Sequence, residues 1–396
     1  LDHHDVLRLR GTAGTFVVAP RGSVSARACL RRIDVAGLDE AALAACVSRV
    51  AAEAEERLSP SAGVMVQAVW LDAGASADGR LLLMIHHLSV DGVSWRILVP
   101  DLAAAWSAIA QGRAPQLSAR GTSFRRWAHV LAEEAQSEQR ASELGYWREV
   151  LSAPSVRLLD EEPAATTAVQ HLRVALPAAT TGALLTRVLA AFHGGINDVL
   201  LTGLVVALLE WSRRHGRGGS SGVLLDLEGH GREEVFGGVD LTHTVGWFTS
   251  QFPVHLSLGD VALEDALAGG VGLGRALKQV KEQLRSLPDN GLGYGLLRYL
   301  NAATGRELAG FAAPQIGFNY LGRFGGSGTL WGAAPEAVRL GGAEQPLGHA
   351  LEVNAVTVDT AQADGAQGAQ LSATWSWRSG ALPAPAVAEL AQGWLA

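Results

Sequence analysis

Two adjacent histidines, His86 and His87, stand between an apolar run and an Asp-Gly pair in the stretch Met84-Ile-His-His-Leu-Ser-Val-Asp-Gly-Val-Ser-Trp95. A histidine in this position is either a general base or a packing residue. Successive side chains at a strand end point in opposite directions, so only one of the two can face a cleft. We expect Asp91 and Gly92 to form a tight turn, in which the carboxylate fixes the local geometry through hydrogen bonds or an arginine partner.

A second polar group lies in the stretch Glu228-Gly-His-Gly-Arg-Glu233, directly after a predicted buried strand. Its glycines allow another group to approach the backbone closely. Glu228 would be the first polar residue after the strand, and with His87 it would make a proton-transfer pair from two lobes. The alternative is a surface turn with a capping acid. His230 and Arg232 are expected mainly to fix this loop.

Three further stretches contain polar or glycine residues that invite a functional reading. The aromatic-rich stretch 243–253 is predicted to be a strand that packs a cleft floor. Gly291-Leu-Gly-Tyr-Gly295 is not expected to bind phosphate, because no strand precedes it and no Lys-Ser/Thr pair follows. Asn319 and Tyr320 are predicted at the end of a strand, where they hydrogen-bond either a carbonyl group or the backbone.

His3-His4-Asp5 also pairs histidines with an acid, but no apolar strand precedes it. We therefore expect this group to be structural.

The composition limits the classes of function. The chain has 396 residues, of which 48% are hydrophobic and 18% charged, and this length and hydrophobic content are enough for two cores. The net charge is −7, and no cluster of basic residues indicates a surface that binds nucleic acid or a membrane. The two cysteines, Cys29 and Cys46, are too few for a disulfide framework and are expected to be small buried hydrophobes. No apolar run is as long as a membrane span, and a cytoplasmic location is expected.

The pattern of elements predicts an α/β protein with two lobes. In the first lobe we expect a helix over 39–58, strands at Val64–Trp70 and Leu81–Ile85 joined by a turn at Asp78-Gly79, and a helix from Ser94 to Ala110. The strand at 81–85 is apolar enough to be buried on both faces. A helix-rich stretch covers 122–151. The composition of 152–168, rich in Ser, Pro, Ala and Thr, favours a linker.

The second lobe repeats this pattern, which places the lobes at 1–160 and 161–396. The predicted elements are strands at 171–176, 223–227 and 315–321, helices at 180–193, 197–214 and 261–286, and a final hairpin over 351–377 that turns at 363–365.

These stretches together resemble one family. His86-His-Leu-Ser-Val-Asp-Gly92 resembles the HHxxxDG motif of the condensation superfamily of nonribosomal peptide synthetases. Five later stretches resemble, in the family's order, the motifs of its epimerization domains. They begin at Ile196 (Ile-Asn-Asp-Val-Leu-Leu), Glu228 (Glu-Gly-His-Gly-Arg-Glu), Thr244 (Thr-Val-Gly-Trp-Phe-Thr), Gly291 (Gly-Leu-Gly-Tyr-Gly) and Phe318 (Phe-Asn-Tyr-Leu-Gly).

The resemblance spans essentially the whole chain. Condensation domains are not expected to carry the element at Glu228. The family normally begins with a segment that contains a Pro-Ile-Gln-like motif, and this chain starts after it, so we expect the first lobe to lack its opening segment. The stretch His3–Arg8 matches the element that follows this segment.

The resemblance implies a fold and a reaction. The fold would be a pseudo-dimer of two chloramphenicol-acetyltransferase-like, two-layer α+β lobes in a V, with a central tunnel. The substrate would be an aminoacyl or peptidyl thioester on the 4'-phosphopantetheine arm of a carrier-protein domain in the same synthetase polypeptide. The enzyme would be an isomerase that converts the L form to a mixture of D and L. No cofactor of its own, no metal, no nucleic acid and no membrane are implied.

The chemistry assigns roles to the site residues. Inversion at Cα needs groups on opposite faces of the carbon and donors for the enolate oxygen, which fits His87 and Glu228 as the catalytic pair. Which of the two acts on which face stays open, as does a role of His87 in stabilising the enolate. Asn319 and Tyr320 would orient the thioester or hold Glu228. Supporting residues of the site would be His86, Asp91 (a salt-bridge former), Gly92, His230, Arg232 and Trp247.

Three alternatives share parts of this pattern. A condensation domain would use His87 to assist attack of an amine on the thioester. A catalytically silent recruiting module would use the same fold as a docking surface. A free-standing acyltransferase would use coenzyme A. The Glu228 stretch argues against a condensation domain. The presence of both His87 and Glu228 argues against a recruiting module, and the later motifs argue against a free-standing acyltransferase.

Overall fold

The computed structural model describes residues 1–12, 14–75, 77–160, 168–325, 331–332, 334, 336, 347–361 and 367–396. Within this part of the chain the strands are β1 Leu9–Thr12, β2 Thr15–Val18, β3 Leu30–Asp34, β4 Val66–Asp72, β5 Arg80–Ile85, β6 Val169–Ala175, β7 Gly222–Gly229, β8 Ser250–Ser257, β9 Ile316–Phe324, β10 Leu351–Ala361 and β11 Gln367–Arg378.

The helices lie between and after groups of these strands, and the predicted mixed α/β class is confirmed. They are α1 Ala26–Cys29, α2 Glu40–Glu56, α3 Gly92–Ala110, α4 Phe124–Glu134, α5 Glu138–Ala141, α6 Leu144–Ser152, α7 Ala178–Ala183, α8 Leu189–Phe192, α9 Ile196–Arg214, α10 Leu263–Leu267, α11 Gly270–Arg285, α12 Leu292–Gly295, α13 Ala302–Leu308 and α14 Ala384–Leu395.

The chain divides into two compact units. The first unit comprises Leu1–Val130, Glu234–Thr249 and Ser327–Gln345, and the second comprises Leu131–Glu233, Ser250–Gly326 and Pro346–Ala396. The chain therefore passes from one unit to the other several times. The division into lobes at 1–160 and 161–396 stays a prediction.

The first unit contains a three-stranded sheet in the order β3-β4-β5, in which β4 is parallel to β3 and antiparallel to β5. Helix α2, whose N-cap Asp39 accepts a hydrogen bond from the Ala42 amide, packs Val47 and Val50 against Val69. The predicted helix and strands are thus confirmed. The prediction that β5 is buried on both faces is wrong, because β5 lies at the sheet edge and Leu81 is 37% exposed.

The second unit is built on a six-stranded sheet in the order β6-β11-β10-β9-β7-β8. Helix α9 supplies much of its core, since Leu201, Leu204 and Leu208 are fully buried and cluster with Trp147 and Trp375. The predicted strands and the helices at 180–193 and 197–214 are confirmed, whereas the predicted helix at 261–286 is two helices, α10 and α11, separated at Gly269, which has a positive φ of 76°. The predicted turn at 363–365, and residues 161–167 of the predicted linker, lie outside the described residues.

Two smaller expectations concern the cysteines and membrane spans. Cys29 is buried and Cys46 is half-buried, and both are free thiols. Among the described residues no single helix is long and apolar enough to cross a membrane. The helical segments Ala178–Phe192 and Ile196–Arg214, which meet at a bend of 100°, are long and apolar enough only when taken together.

Candidate active site

The two adjacent histidines have different surroundings. Strand β5 ends at Ile85, and His86 then caps a 3-10 turn at His87–Ser89 by accepting a hydrogen bond at Nδ1 from the Leu88 amide (3.2 Å). Burial, together with neighbouring His87, lowers the pKa of His86. The His87 side chain is exposed and packs edge-on against Trp247, with ring centroids 4.9 Å apart. His86 is thus committed to the backbone, while His87 presents its ring at the surface of the first unit.

Asp91 is a buried helix cap. Its side chain, 4% exposed, accepts hydrogen bonds from the amide and the hydroxyl of Ser94 (both 2.8 Å) and from the Phe248 amide (3.1 Å). The expected tight turn at Asp91-Gly92 is wrong, because Gly92 is the first residue of α3 and a Cβ there would meet open space. The carboxylate instead supplies an acceptor that the first amides of the helix lack.

The same cap fixes the loop that carries Trp247. The Ser94 hydroxyl oxygen also lies 2.9 Å from the Gly246 carbonyl oxygen and accepts a hydrogen bond from the Gly246 amide (3.1 Å). A strand over 243–253 is therefore wrong in its first part, since only residues from Ser250 onward belong to β8. At Gly246 the backbone is paired with a side chain instead of a neighbouring strand, and a Cβ would lie 2.6 Å from Phe124.

In the second unit, Glu228 lies inside strand β7 and not after it. Val223, Leu225 and Leu227 of β7 are buried in the core, so the strand period of two places Asp226 and Glu228 on the opposite face. The Glu228 side chain is exposed, and its register partner on β8 is Gln251. The core-facing residues of the strand thus determine where this carboxylate points.

Asn319 and Tyr320 are adjacent on β9 and point to opposite faces. The Asn319 side-chain amide donates a hydrogen bond to Glu228 Oε2 (2.7 Å), which orients that carboxylate. The Tyr320 hydroxyl donates to Thr357 Oγ1 (2.9 Å), and its ring packs on the core of the second unit. Both residues lie within β9, not at its end. The structure therefore brings Asn319, and not Tyr320, into contact with Glu228.

The loop after β7 is held by its own side chains. His230 Nδ1 accepts a hydrogen bond from the Arg232 amide (3.0 Å), and His230 Nε2 lies 3.5 Å from Glu233 Oε1. Glu233 also accepts from the side-chain amide of Asn290 (2.9 Å). His230 and the backbone of Arg232 thus occupy the loop-fixing positions expected of them.

The sequence motifs did not single out an ion-paired histidine on the same sheet face as Glu228. His349 Nε2 lies 2.8 Å from Asp226 Oδ2, and Nδ1 lies 3.4 Å from Glu352 Oε1. Burial opposes protonation of His349, but hydrogen bonds and charges from the two carboxylates outweigh burial and raise its pKa to about 9. The one sequence signal was Asp226, an acid within an otherwise apolar strand, which requires a partner.

The histidines near the N-terminus have structural partners. His4 is 7% exposed, and its Nε2 lies 2.8 Å from Asp101 Oδ2. Burial, which outweighs this hydrogen bond, lowers the pKa of His4. Among the described residues, His3, His4 and Asp101 are the group with ligand atoms near enough for a metal ion, within 4.8 Å of one another. His4 and Asp101 are already hydrogen-bonded together, in keeping with the structural interpretation.

Comparison with known proteins defines the class of this chain. The family model for the condensation domain matches residues 1–338. The chain belongs to the condensation-domain family, which confirms the resemblance seen in its motifs.

Its relatives are peptide synthases. The chain is 35% identical to one of the proteins of the linear gramicidin synthase of Brevibacillus parabrevis over 99% of its length. It is also 36% identical to surfactin synthase subunit 1 of Bacillus subtilis over 82% of its length, and 35% identical to bacitracin synthase 3 of Bacillus licheniformis over 90%. The chain spans only 5–9% of these three proteins.

One similar solved structure is the epimerization domain from the third module of tyrocidine synthetase B. The TM-score is 0.80 and the identity 30%, over 99% of this chain and 83% of that one. The X-domain from teicoplanin biosynthesis (TM-score 0.64, 17% identity, covering 100% of this chain and 83% of that one) shares the fold. So does the first condensation domain of the CDA synthetase (TM-score 0.61, 18% identity, covering 100% and 83%).

The buried cap predicts a difference between two helix-capping aspartates. Asp91→Ala leaves buried amides without an acceptor, so we expect it to lower the free energy of unfolding by about 2–4 kcal/mol. Asp39→Ala removes an exposed cap from α2 and should cost only about 1 kcal/mol. Urea unfolding of both variants measures these values. Equal losses would contradict the buried role of Asp91.

The ion-paired histidine predicts a pH-dependent contribution to stability. Because the pKa of His349 is raised to about 9, the folded state binds a proton that the unfolded state releases above about pH 6.5. This stabilisation is fully present below about pH 6.5 and is lost as the pH rises through about 9. The destabilisation caused by His349→Gln should therefore shrink by about 2–3 kcal/mol between pH 6 and pH 9.5 in urea unfolding. A pH-independent difference would show that the ring is not charged.

Proposed function

We propose that this chain is an epimerization domain of a nonribosomal peptide synthetase. Its substrate would be an aminoacyl or peptidyl thioester on the 4'-phosphopantetheine arm of a carrier-protein domain. The observation that carries the proposal is Glu228, an exposed carboxylate oriented by Asn319 at 2.7 Å on the polar face of a rigid sheet. The similarity to the epimerization domain of tyrocidine synthetase B supports the same assignment.

The reaction needs a base near Cα and a donor near the thioester oxygen. A thioester carbonyl is less resonance-stabilised than an amide, so a positioned base can remove its α-proton. The Cα–H bond breaks, the proton passes to the base, and the electron pair moves onto the carbonyl oxygen as an enolate. Reprotonation of Cα from the opposite face gives the other stereoisomer. Two proton-transferring groups therefore suffice, and no electron acceptor is required.

Glu228 and His87 fill these two roles in the proposal. Asn319 donates to one Glu228 oxygen, which orients the exposed carboxylate for proton transfer. His87 has an exposed ring placed by Trp247, and its neighbour His86 is occupied by the backbone. An exposed imidazole gives or takes a proton, or donates to an enolate oxygen, near neutral pH.

The main rival is condensation, because the family and its fold include domains of that kind. In that reaction His87 would assist attack of an amine on the thioester, and an oriented carboxylate on β7 would have no evident task. A silent recruiting module would need neither side chain. The paired Glu228 and Asn319 favour epimerization over both.

Hydrogen exchange at Cα tests the proposal. A carrier domain is loaded with L-alanyl, L-leucyl or L-phenylalanyl thioester and incubated with this protein in heavy water, and deuterium and chirality at Cα are measured. We expect exchange together with formation of the D form. Glu228→Gln and His87→Ala should each lower the exchange rate by about 10²–10⁴-fold, the usual contribution of an acid–base group.

The same assay includes a control variant and distinguishes epimerization from the two rival functions. Glu264→Gln changes an exposed carboxylate on α10 and should leave the exchange rate unchanged. Dipeptide formation with a second loaded carrier, without exchange, would identify a condensation domain. Carrier binding without either reaction would identify a recruiting module.

A further inference from the structure

Beside Glu228, the second unit holds an imidazole between two carboxylates. Asp226 of β7, Gly317 of β9 and Glu352 of β10 are register partners and form one row across the sheet, and His349 lies over this row. A Cβ on Gly317 would lie 2.6 Å from His349 Nδ1, so the glycine provides the space for the ring. The ring is 10% exposed.

The two carboxylates around this ring favour its charged form. Nε2 faces Asp226 and Nδ1 faces Glu352, and both carboxylates accept hydrogen bonds. A neutral imidazole has a single N–H, so only the imidazolium can donate to both. The segment just before the ring is anchored twice, because Arg378 donates to the Leu347 carbonyl and the Gly348 amide donates to Glu352.

His349 contacts two acids, and neutral side chains lie beside them. Strand β7 contributes Asp226, β10 contributes Glu352, and β8 contributes the neutral Gln251. The amide nitrogen of Gln251 lies 3.1 Å from Asp226 Oδ2 and 3.2 Å from His349 Nε2. Helix α12 contributes Tyr294, whose pKa is raised to about 12 by burial and by the charge of Asp226, so it stays neutral. Arg298, which hydrogen-bonds Tyr294, is a further cation near this group, whereas His349 is the cation that contacts both acids.

Glu228 is affected by the same charges. Asp226 and Glu228 are two residues apart on one face of β7, about 7 Å along the strand. At that separation like charges disfavour each other's ionisation, and an opposite charge favours it. The charge of His349 therefore bears on how readily Glu228 ionises.

We propose that His349 is a positioning residue of this site, and that its imidazolium offsets Asp226 and Glu352 so that Glu228 stays ionised and able to accept a proton. The inference rests on the proposed epimerization, in which Glu228 acts as a base. His349 acts through Glu228 and its neighbours and does not itself touch the reacting atoms.

The pH dependence of kcat/KM for Cα exchange tests this role, because its acid limb reports the base of the free enzyme. Loaded L-alanyl, L-leucyl and L-phenylalanyl carrier domains are the probes. In His349→Gln we expect the acid limb to move up by on the order of one pH unit. A purely structural role would lower the rate at every pH without moving the limb.

Removing a negative charge should move the acid limb in the opposite direction. Glu352→Gln should move the acid limb down, because it removes an anion while Asp226 still faces the imidazolium, and an unmoved limb would contradict the proposal. The double variant Asp226→Asn/His349→Gln should bring the limb back toward that of the unchanged protein. A double variant whose limb stays as high as in His349→Gln would overturn the proposal, as would an upward shift in Glu352→Gln. The Glu352 variant keeps the test decisive if the single His349 variant fails to fold.

His255 provides a matched control on the same sheet face. It is register partner to Leu224 on β7, its ring lies over Gly222, and its Nε2 lies 3.2 Å from the Pro154 carbonyl. Its hydrogen-bond partner is thus a neutral carbonyl and not a carboxylate, so His255→Gln should leave the acid limb in place. If the unchanged protein shows no exchange with any probe, the proposed function itself fails. If it exchanges and His349→Gln has an unshifted limb, only the role of His349 fails.

Discussion

The period of two along strand β7 is the constraint on which the site in the second unit depends. Val223, Leu225 and Leu227 are buried, and moving the strand by one residue would expose all three and bury Asp226 and Glu228. Apolar burial therefore holds the two acids on the outer face. Neighbouring strands in register add Asn319 and the glycine beneath the His349 ring to that face, so the polar groups derive their positions from the core beneath them.

Hydrogen-bond partners separate side chains of the same type into different roles. His86 accepts from a backbone amide, whereas His87 packs its exposed ring against an aromatic edge. His349 faces two carboxylates and is held as a cation. Asp91 is buried as a helix cap, whereas Glu228 is exposed and oriented by an amide. The residue type supplies the capacity for proton transfer, and the local partner decides whether that capacity serves structure or chemistry.

The fold alone does not decide the reaction. Domains from teicoplanin and CDA biosynthesis share it with this chain at 17–18% identity. The difference between an epimerase and a condensation domain therefore lies in a few side chains on a common scaffold. In this chain those side chains are, on our proposal, the oriented Glu228 and the charged row beside it.

Local periodicity was sufficient to predict α2, β4 and α9, because a helix or strand that buries one face shows that face in its own sequence. The ordered motifs also predicted the family, because each motif is a short continuous stretch that can be read without knowledge of distant contacts. The irregular loop at Gly246 and the location of Glu228 within β7 were not predicted, because each depends on a partner far along the chain. The helix start at Gly92 rests on the local cap of Asp91 on Ser94, which the prediction of a tight turn missed. His349 and Asp226 are 123 residues apart. Only the register of β7, β9 and β10 brings them together, and no local pattern encodes it.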